Sequence, residues 1–344
     1  MLDYAKFYLS LVVVTVTIWG FYLGGPWSCL GLAFVLSLMI IGDAVLGLDL
    51  SQPQLEHTWL LKIPLYLCLP SMILLHVSMA WAARSMFLNS GTVGLELAAL
   101  LGGCLTMMGY GIVAGHELVH MTRSKASIIQ GRLLYSMIGN PDFSIEHVHI
   151  HHAFLGTEKD PATARKGESV YHFFWRSSFD GHLAAWKFEL DRLRKAKTSP
   201  FSLKNRMITG YLMCLIWPIL YFALGGLSGL LACFGIMLLG KFIFEAINYV
   251  EHYGLERAPH EPIAPHHSWN CNTRMSYIVL LGLARHSAHH ERAQTPFWQL
   301  SAYPKAPQMP FGYLNSLLAS MIPPLWFAIM EPRLQLWRKQ YQVN

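Results

Sequence analysis

Fifteen of the seventeen histidines in this 344-residue chain lie after residue 115, and most of them fall in four short stretches. These are His116-Glu117-Leu118-Val119-His120, Glu146-His147-Val148-His149-Ile150-His151-His152, Asn248-Tyr249-Val250-Glu251-His252-Tyr253-Gly254-Leu255 and Arg285-His286-Ser287-Ala288-His289-His290. On a helix, residues i and i+4 share a face, so His116 and His120 can point at one metal ion. His286 with His289 and His290 repeats that geometry. So does His147 with His151, leaving the adjacent His152 to reach a second ion. His149 would point away from its neighbours, and His266 and His267 merely adjoin the fourth stretch, so these three stay off the ligand set. Nine imidazoles remain. That exceeds the roughly six donors of an octahedral ion, and two ions fit better than one. Imidazole suits zinc, copper, iron and nickel alike. Glu117, Glu146, Asp160 and Glu251 lie in or near the stretches. Carboxylates accept the second ring N–H of a metal-bound histidine, fix its tautomer and offset the charge of the ions. That is the role expected of these four. Isolated His57, His76, His172, His182 and His260 are expected to be structural.

The elements that would position these residues are membrane helices. Only 13% of residues are charged, 53% are hydrophobic, and the mean hydropathy is positive. This excludes a disordered chain and an ordinary soluble enzyme. A span needs about 20 mainly apolar residues. Six segments qualify, at roughly 7–24, 28–48, 60–82, 93–115, 208–225 and 228–248. Breaks at Gly24-Gly25-Pro26 and Gly225-Gly226 make the paired segments read as hairpins. The first and third histidine stretches end membrane helices, so the clusters converge at one membrane boundary.

Of the 26 basic residues, 14 lie in 116–207 and 8 in 249–344, against 3 in 1–115. The positive-inside rule therefore places both polar segments, and the N-terminus, in the cytoplasm. The apolar stretch 314–330, broken by Pro323-Pro324, reads as re-entrant, interfacial or packed on the protein. Lys241, Glu245, Asn248 and His252 form one polar stripe on the last span and should face inward, because a charge at mid-bilayer costs about 2.5–3.5 kcal/mol. The six cysteines form no CxxC pair and give no disulfide framework or iron–sulfur motif. The expected fold is an all-α integral membrane protein, residues 1–344 forming a single domain of about six transmembrane helices under a cytoplasmic histidine-rich cap.

Two other chemistries compete for these residues. His116-Glu117-x-x-His120 matches the zinc-protease pattern, with Glu117 as general base, but leaves six clustered histidines idle. A metal transporter would place ligands along a pore at the midplane rather than at one surface. Oxygen activation by a metal pair on an apolar substrate accounts for more of the chain. The pattern of histidine boxes resembles membrane fatty acyl desaturases and hydroxylases. More narrowly, His116-Glu117-Leu118-x-His120, Asn248-Tyr249-x-Glu251-His252-Tyr253-Gly254-Leu255 and Arg285-His286-Ser287-x-His289-His290 resemble the membrane di-iron alkane 1-monooxygenases. Asp160-Pro161-Ala162-x-Ala164-Arg165, His267-Ser268-Trp269-Asn270 and Pro323-Pro324-Leu325-Trp326 extend that resemblance. Ala306-Pro307-Gln308-Met309-Pro310 and the N-terminal hairpin are similar to the xylene monooxygenase hydroxylase component.

The resemblance covers nearly the whole chain. It implies two non-haem irons held by His116, His120, His147, His151, His152, His252, His286, His289 and His290. It implies O2 as co-substrate and reducing equivalents from NAD(P)H through a separate reductase. The carrier would be a rubredoxin or a ferredoxin-type protein, and no nucleic acid is involved. The location would be a bacterial inner membrane, with substrate entering from lipid. The activity expected first is hydroxylation of an alkane's terminal methyl group. A benzylic methyl of an alkyl-aromatic comes second, and fatty-acyl desaturation third. Val119 and Met121 replace the usual Gly and Lys, Val148-His149-Ile150 replaces Asn-Arg-Gly, and Ala288 replaces Asp. These departures remove no presumed ligand and bear on substrate and on how a reductant docks.

Overall fold

In a computed structural model, residues 2–85 and 93–341 are described, and among them the chain is helical throughout. The extended pairings there are two isolated bridges, Leu48 with Thr273 and Asn270 with Gln308. Helices α1 (Asp3–Leu23), α2 (Gly25–Val45), α3 (Thr58–Ala82) and α4 (Val93–His120) are long and apolar enough to cross a membrane, and they fall where the first four spans were expected. Gly24 turns α1 into α2 at φ 69°, a backbone that a side chain would resist. Its N–H closes α1 on the Gly20 carbonyl at 3.1 Å.

After α4 come α5 (Lys125–Ser136), a broken helical segment over residues 143–154, and α6 (Val170–Lys195). Ser169 caps α6 by accepting from the His172 N–H, and basic Arg192, Arg194 and Lys195 suit its C-terminal end. One face of α6 (Phe173, Ser177, Gly181, Ala185) is buried, while Tyr171, Trp175, Phe179 and Leu183 are exposed.

The expected pair 208–225 and 228–248 makes up the two arms of α7 (Arg206–His252), one of five apolar helical segments of span length or more among the described residues. The arms meet at Gly226, within the break expected at Gly225-Gly226, whose φ of 59° and ψ of −148° reverse the chain without a loop. A Cβ on Gly229 would collide with the Tyr221 carbonyl. An uninterrupted helix would keep those residues about 12 Å apart. The two arms therefore fold back on each other. Gly210 on the first arm packs against Pro141, and Gly240 on the second against Ile138.

The second arm carries the polar stripe inward. Glu245 accepts from Lys241 Nζ at 2.6 Å and from Ser177 Oγ of α6 at 2.6 Å, and Asn248 and His252 are buried. Beyond α7 lie the short helices α8 (Arg274–Val279) and α9 (His286–Glu291), then α10 (Tyr313–Ser320) and α11 (Pro323–Tyr341). The 314–330 stretch is thus split between α10 and α11 and packs on the protein. Trp326, Met330, Leu334 and Trp337 are buried, and Trp337 Nε1 donates to the His266 carbonyl. Buried Arg285 donates to the carbonyls of Leu300, Asp49 and Ser51, tying α9 to the loop after α2.

Candidate metal centre

Four elements deliver the clustered histidines to one buried place. The last turn of α4 brings His116 and His120, with ring centroids 4.8 Å apart. Residues His147–His151 form a π-turn, in which i→i+5 bonding brings residue i+5 rather than i+4 beneath residue i. His147 Nε2 accordingly lies 3.0 Å from His152 Nε2 and 2.8 Å from His116 Nε2. This corrects the pairing expected from α-helical spacing, which put His147 with His151. His289 Nε2 closes the set at 3.0 Å from His152 Nε2. The ligand atoms of His116, His120, His147, His152 and His289 all lie within 4.8 Å of one another.

His151, turned the other way, joins His252 and His290 in a second set with the same 4.8 Å limit. His286 belongs with them, its Nε2 being 2.8 Å from His290 Nε2 and 3.1 Å from His252 Nε2. The fourth stretch is therefore divided. His286 and His290, one turn apart, face the second set, and His289 faces the first.

Burial governs the electrostatics. It pushes the pKa values of His147, His152, His286, His289 and His290 well below the usual range, and neighbouring histidines add to the effect in each case. These rings are neutral, with their lone pairs converging. His151 is the exception: burial would lower it, but the Asp160 charge and hydrogen bond outweigh that and raise it. The Nε2 of His120 and the Nδ1 of His286 and His290 are buried without a hydrogen-bond partner among the described residues. Nitrogen donors in facing sets, too buried to be charged, fit ions that prefer imidazole.

The four carboxylates diverge. Asp160 Oδ2 accepts from His151 Nδ1 at 2.9 Å and from Thr163 Oγ1 at 2.6 Å, which leaves His151 Nε2 facing His290. Glu117 instead accepts the Phe297 N–H at 3.3 Å, fastening α4 to the loop after α9. Glu146 has an unpartnered Oε1, and burial pushes its carboxyl up to about 8. Glu251 does not sit behind a ring: its Oε2 lies 3.3 Å from Nε2 of His286, and its Oε1 accepts from Tyr313 Oη at 2.7 Å. Tyr313, 62 residues away in sequence, was missed, because nothing in the sequence links it to Glu251.

Of the histidines left off the ligand set, His149 stacks on Phe188 with centroids 4.7 Å apart. His266 and His267 gather near Glu261, but His267 Nδ1 accepts the Ala264 N–H, so the neutral ring carries its proton on the Nε2 that faces Glu261. His76 is held between Met107 Sδ and Tyr221 Oη, His182 between Asp142 and Tyr211, and His172 against Glu168.

An apolar cavity of about 80 Å³ runs between the membrane helices, walled by residues such as Val13, Val35, Leu105 and Val279. Met108, Val113, Ile247, Glu251 and Leu283 line both this cavity and a smaller one that reaches His116, His147 and His286. The smaller space touches the histidines, and Glu251 borders both spaces.

The fatty acid desaturase family profile matches residues 91–327. The xylene/toluene monooxygenase hydroxylase component XylM of Pseudomonas putida is 33% identical over 99% of this chain and 91% of its own. Alkane 1-monooxygenase 1 of Pseudomonas aeruginosa is 34% identical over 89% of this chain and 84% of its own. The alkane 1-monooxygenase of Acinetobacter baylyi is 30% identical over 91% and 77%.

Proposed function

The chain belongs to the fatty acid desaturase family as one of its membrane monooxygenases, and from that premise we propose that it is a di-iron enzyme hydroxylating the terminal methyl group of an alkane. The observation that carries this reading is the pair of adjacent histidine sets, three of whose members line a small cavity next to a larger apolar one. The nine histidines expected from the sequence would hold the metal, with His116, His120, His147, His152 and His289 on one iron. His151, His252, His286 and His290 would hold the other. When bound, the iron pair supplies reductive activation of O2, so that one oxygen atom enters the product and the other leaves as water.

The chain's own residues do the rest. The cavity walls strip water from the substrate and point its end at the junction beside Glu251. Asp160 keeps the His151 proton on Nδ1 and its Nε2 free. Phe143, stacked on His147 with centroids 4.6 Å apart, fixes that ring's plane.

The reading extends to the setting. The whole chain acts as one domain in a bacterial inner membrane. The two arms of α7 cross separately to give six spans, and the cap and N-terminus lie in the cytoplasm, as the distribution of basic residues favours. Electrons come from NAD(P)H through a reductase and a rubredoxin or ferredoxin-type carrier. A benzylic methyl is the second substrate reading, favoured by the near end-to-end match with the xylene/toluene hydroxylase component.

Intact cells supplied with octane, hexadecane and p-xylene, with both carrier types co-expressed and His286→Ala as control, test this by gas chromatography–mass spectrometry. A 1-alkanol absent from the control supports the first reading. A benzylic alcohol instead moves the protein to the aromatic branch. Full activity in His286→Ala sinks the ligand assignment.

A further inference from the structure

The two histidine sets are unequal: five imidazoles face one position and four face the other. We propose that Glu251 is a direct ligand of the second iron, completing the set of His151, His252, His286 and His290 with a carboxylate, so that the two ions are electronically distinct. The proposal rests on the di-iron reading above and assigns Glu251 a role different from the orienting one expected of it.

Three observations support it. The first is the side of the ring that Glu251 occupies. An orienting carboxylate lies behind a ligand, on the nitrogen that does not face the metal, as Asp160 does at Nδ1 of His151. Glu251 Oε2 lies in front, 3.3 Å from the His286 Nε2 that also faces His252 and His290. The His286 Nδ1 is left without a partner.

The second is spacing. Ligands about 2.0–2.2 Å from one ion stand roughly 3–3.5 Å from each other. Glu251 Oε2 to His286 Nε2 at 3.3 Å and His286 Nε2 to His252 Nε2 at 3.1 Å both lie in that range. The ligand atoms of Glu251, His252 and His286 fall within 4.8 Å of one another.

The third is how the carboxylate is held. Glu251 is buried, and its Oε1 accepts a hydrogen bond from Tyr313 Oη at 2.7 Å. That bond fixes the carboxylate plane and leaves Oε2 toward the histidines. A carboxylate oxygen turned toward a group of imidazole nitrogens is placed to share a cation with them. Because Glu251 also lines both cavities, it is the ligand that the incoming substrate meets.

The test uses the full-length protein in detergent, loaded with ⁵⁷Fe(II), with iron per chain measured by mass spectrometry and the sites resolved by Mössbauer spectroscopy. Wild-type protein is expected to show two quadrupole doublets of equal area. In Glu251→Ala, one doublet should shift or disappear, with that iron held about tenfold or more weakly, while the other doublet stays in place. Glu251→Gln preserves the side-chain shape and carries the same comparison if the alanine variant does not fold. Tyr313→Phe should perturb the same doublet and spare the other. Both doublets unchanged in the Glu251 variants would overturn the proposal. Wild-type protein that takes up fewer than two irons would instead overturn the di-iron reading, and the proposal with it.

Discussion

Asp160 Oδ2 accepts the Nδ1 proton of His151 at 2.9 Å, with both side chains fully excluded from solvent. Thr163 Oγ1 and the Ala162 N–H hold the carboxylate in turn, at 2.6 and 3.0 Å. The hydrogen bond selects the tautomer that presents Nε2 toward His290, and second partners of this kind tune metal affinity by about 10–100-fold. Asp160→Asn should weaken retention of one iron by a factor in that range and leave the other in place. Chelator competition followed by iron analysis checks this. Unchanged retention would mean that Asp160 serves the fold alone.

His149 and His151 lie two residues apart in one π-turn, yet they face opposite ways. His149 stacks on Phe188 outside both histidine sets, and His151 is inside. Purified His149→Ala should keep the wild-type iron content, whereas His151→Ala should lose about one equivalent. Equal losses in the two variants would count against the division of the histidines drawn here.

Gly109 borders the apolar cavity, and the nearest group a Cβ there would meet is Val279 Cγ1, at an ordinary 3.8 Å. A leucine at this position would extend into the cavity and shorten it. Gly109→Leu is expected to shift the product profile of a mixed alkane feed toward shorter chains while the iron content stays the same. A profile identical to wild type would show that substrate takes another route.

Glu189 anchors the junction between α6 and α7. Its buried carboxylate accepts from Arg192, the Arg206 side chain and the Arg206 N–H. Burial would raise its pKa, but these hydrogen bonds outweigh burial and lower it from 4.5 to about 2. A lowered folded-state value gives stability that is present above about 4.5 and is lost as pH falls toward about 2. Glu189→Gln should melt below wild type at neutral pH, and the gap should narrow through that acid window. Melting curves in detergent across the window test this. A gap that does not depend on pH would remove the ion pairs from the account.

Gly226 reverses α7 at a φ and ψ that side chains avoid. Gly226→Ala should cost ~1–3 kcal/mol from backbone strain alone, since no neighbour stands within 4 Å of the added Cβ. A lowered melting temperature with unchanged iron stoichiometry is the expected result. Wild-type stability would place the strain elsewhere.

The membrane helices and the histidine stretches were legible in the sequence for one physical reason: both are local. Twenty apolar residues announce a span, and His116 with His120, or His286 with His290, announce a shared face at one helical turn. Asp160 was likewise found by lying near the stretch it serves. What depended on local backbone irregularity was not legible. The π-turn at 147–151 exchanged the partners of His147. It leaves no periodic signal in residue types, unlike the reversal at Gly226, which the Gly225-Gly226 pair announced. What depended on chain-distant packing was hidden altogether. Tyr313 reaches Glu251 from 62 residues away, and Glu117 finds the Phe297 N–H across 180. The sequence by itself determined which residues could bind metal and which apolar helices some of them end. The tertiary structure decided which nitrogen faces which, because that is set by how four separate elements pack against one another.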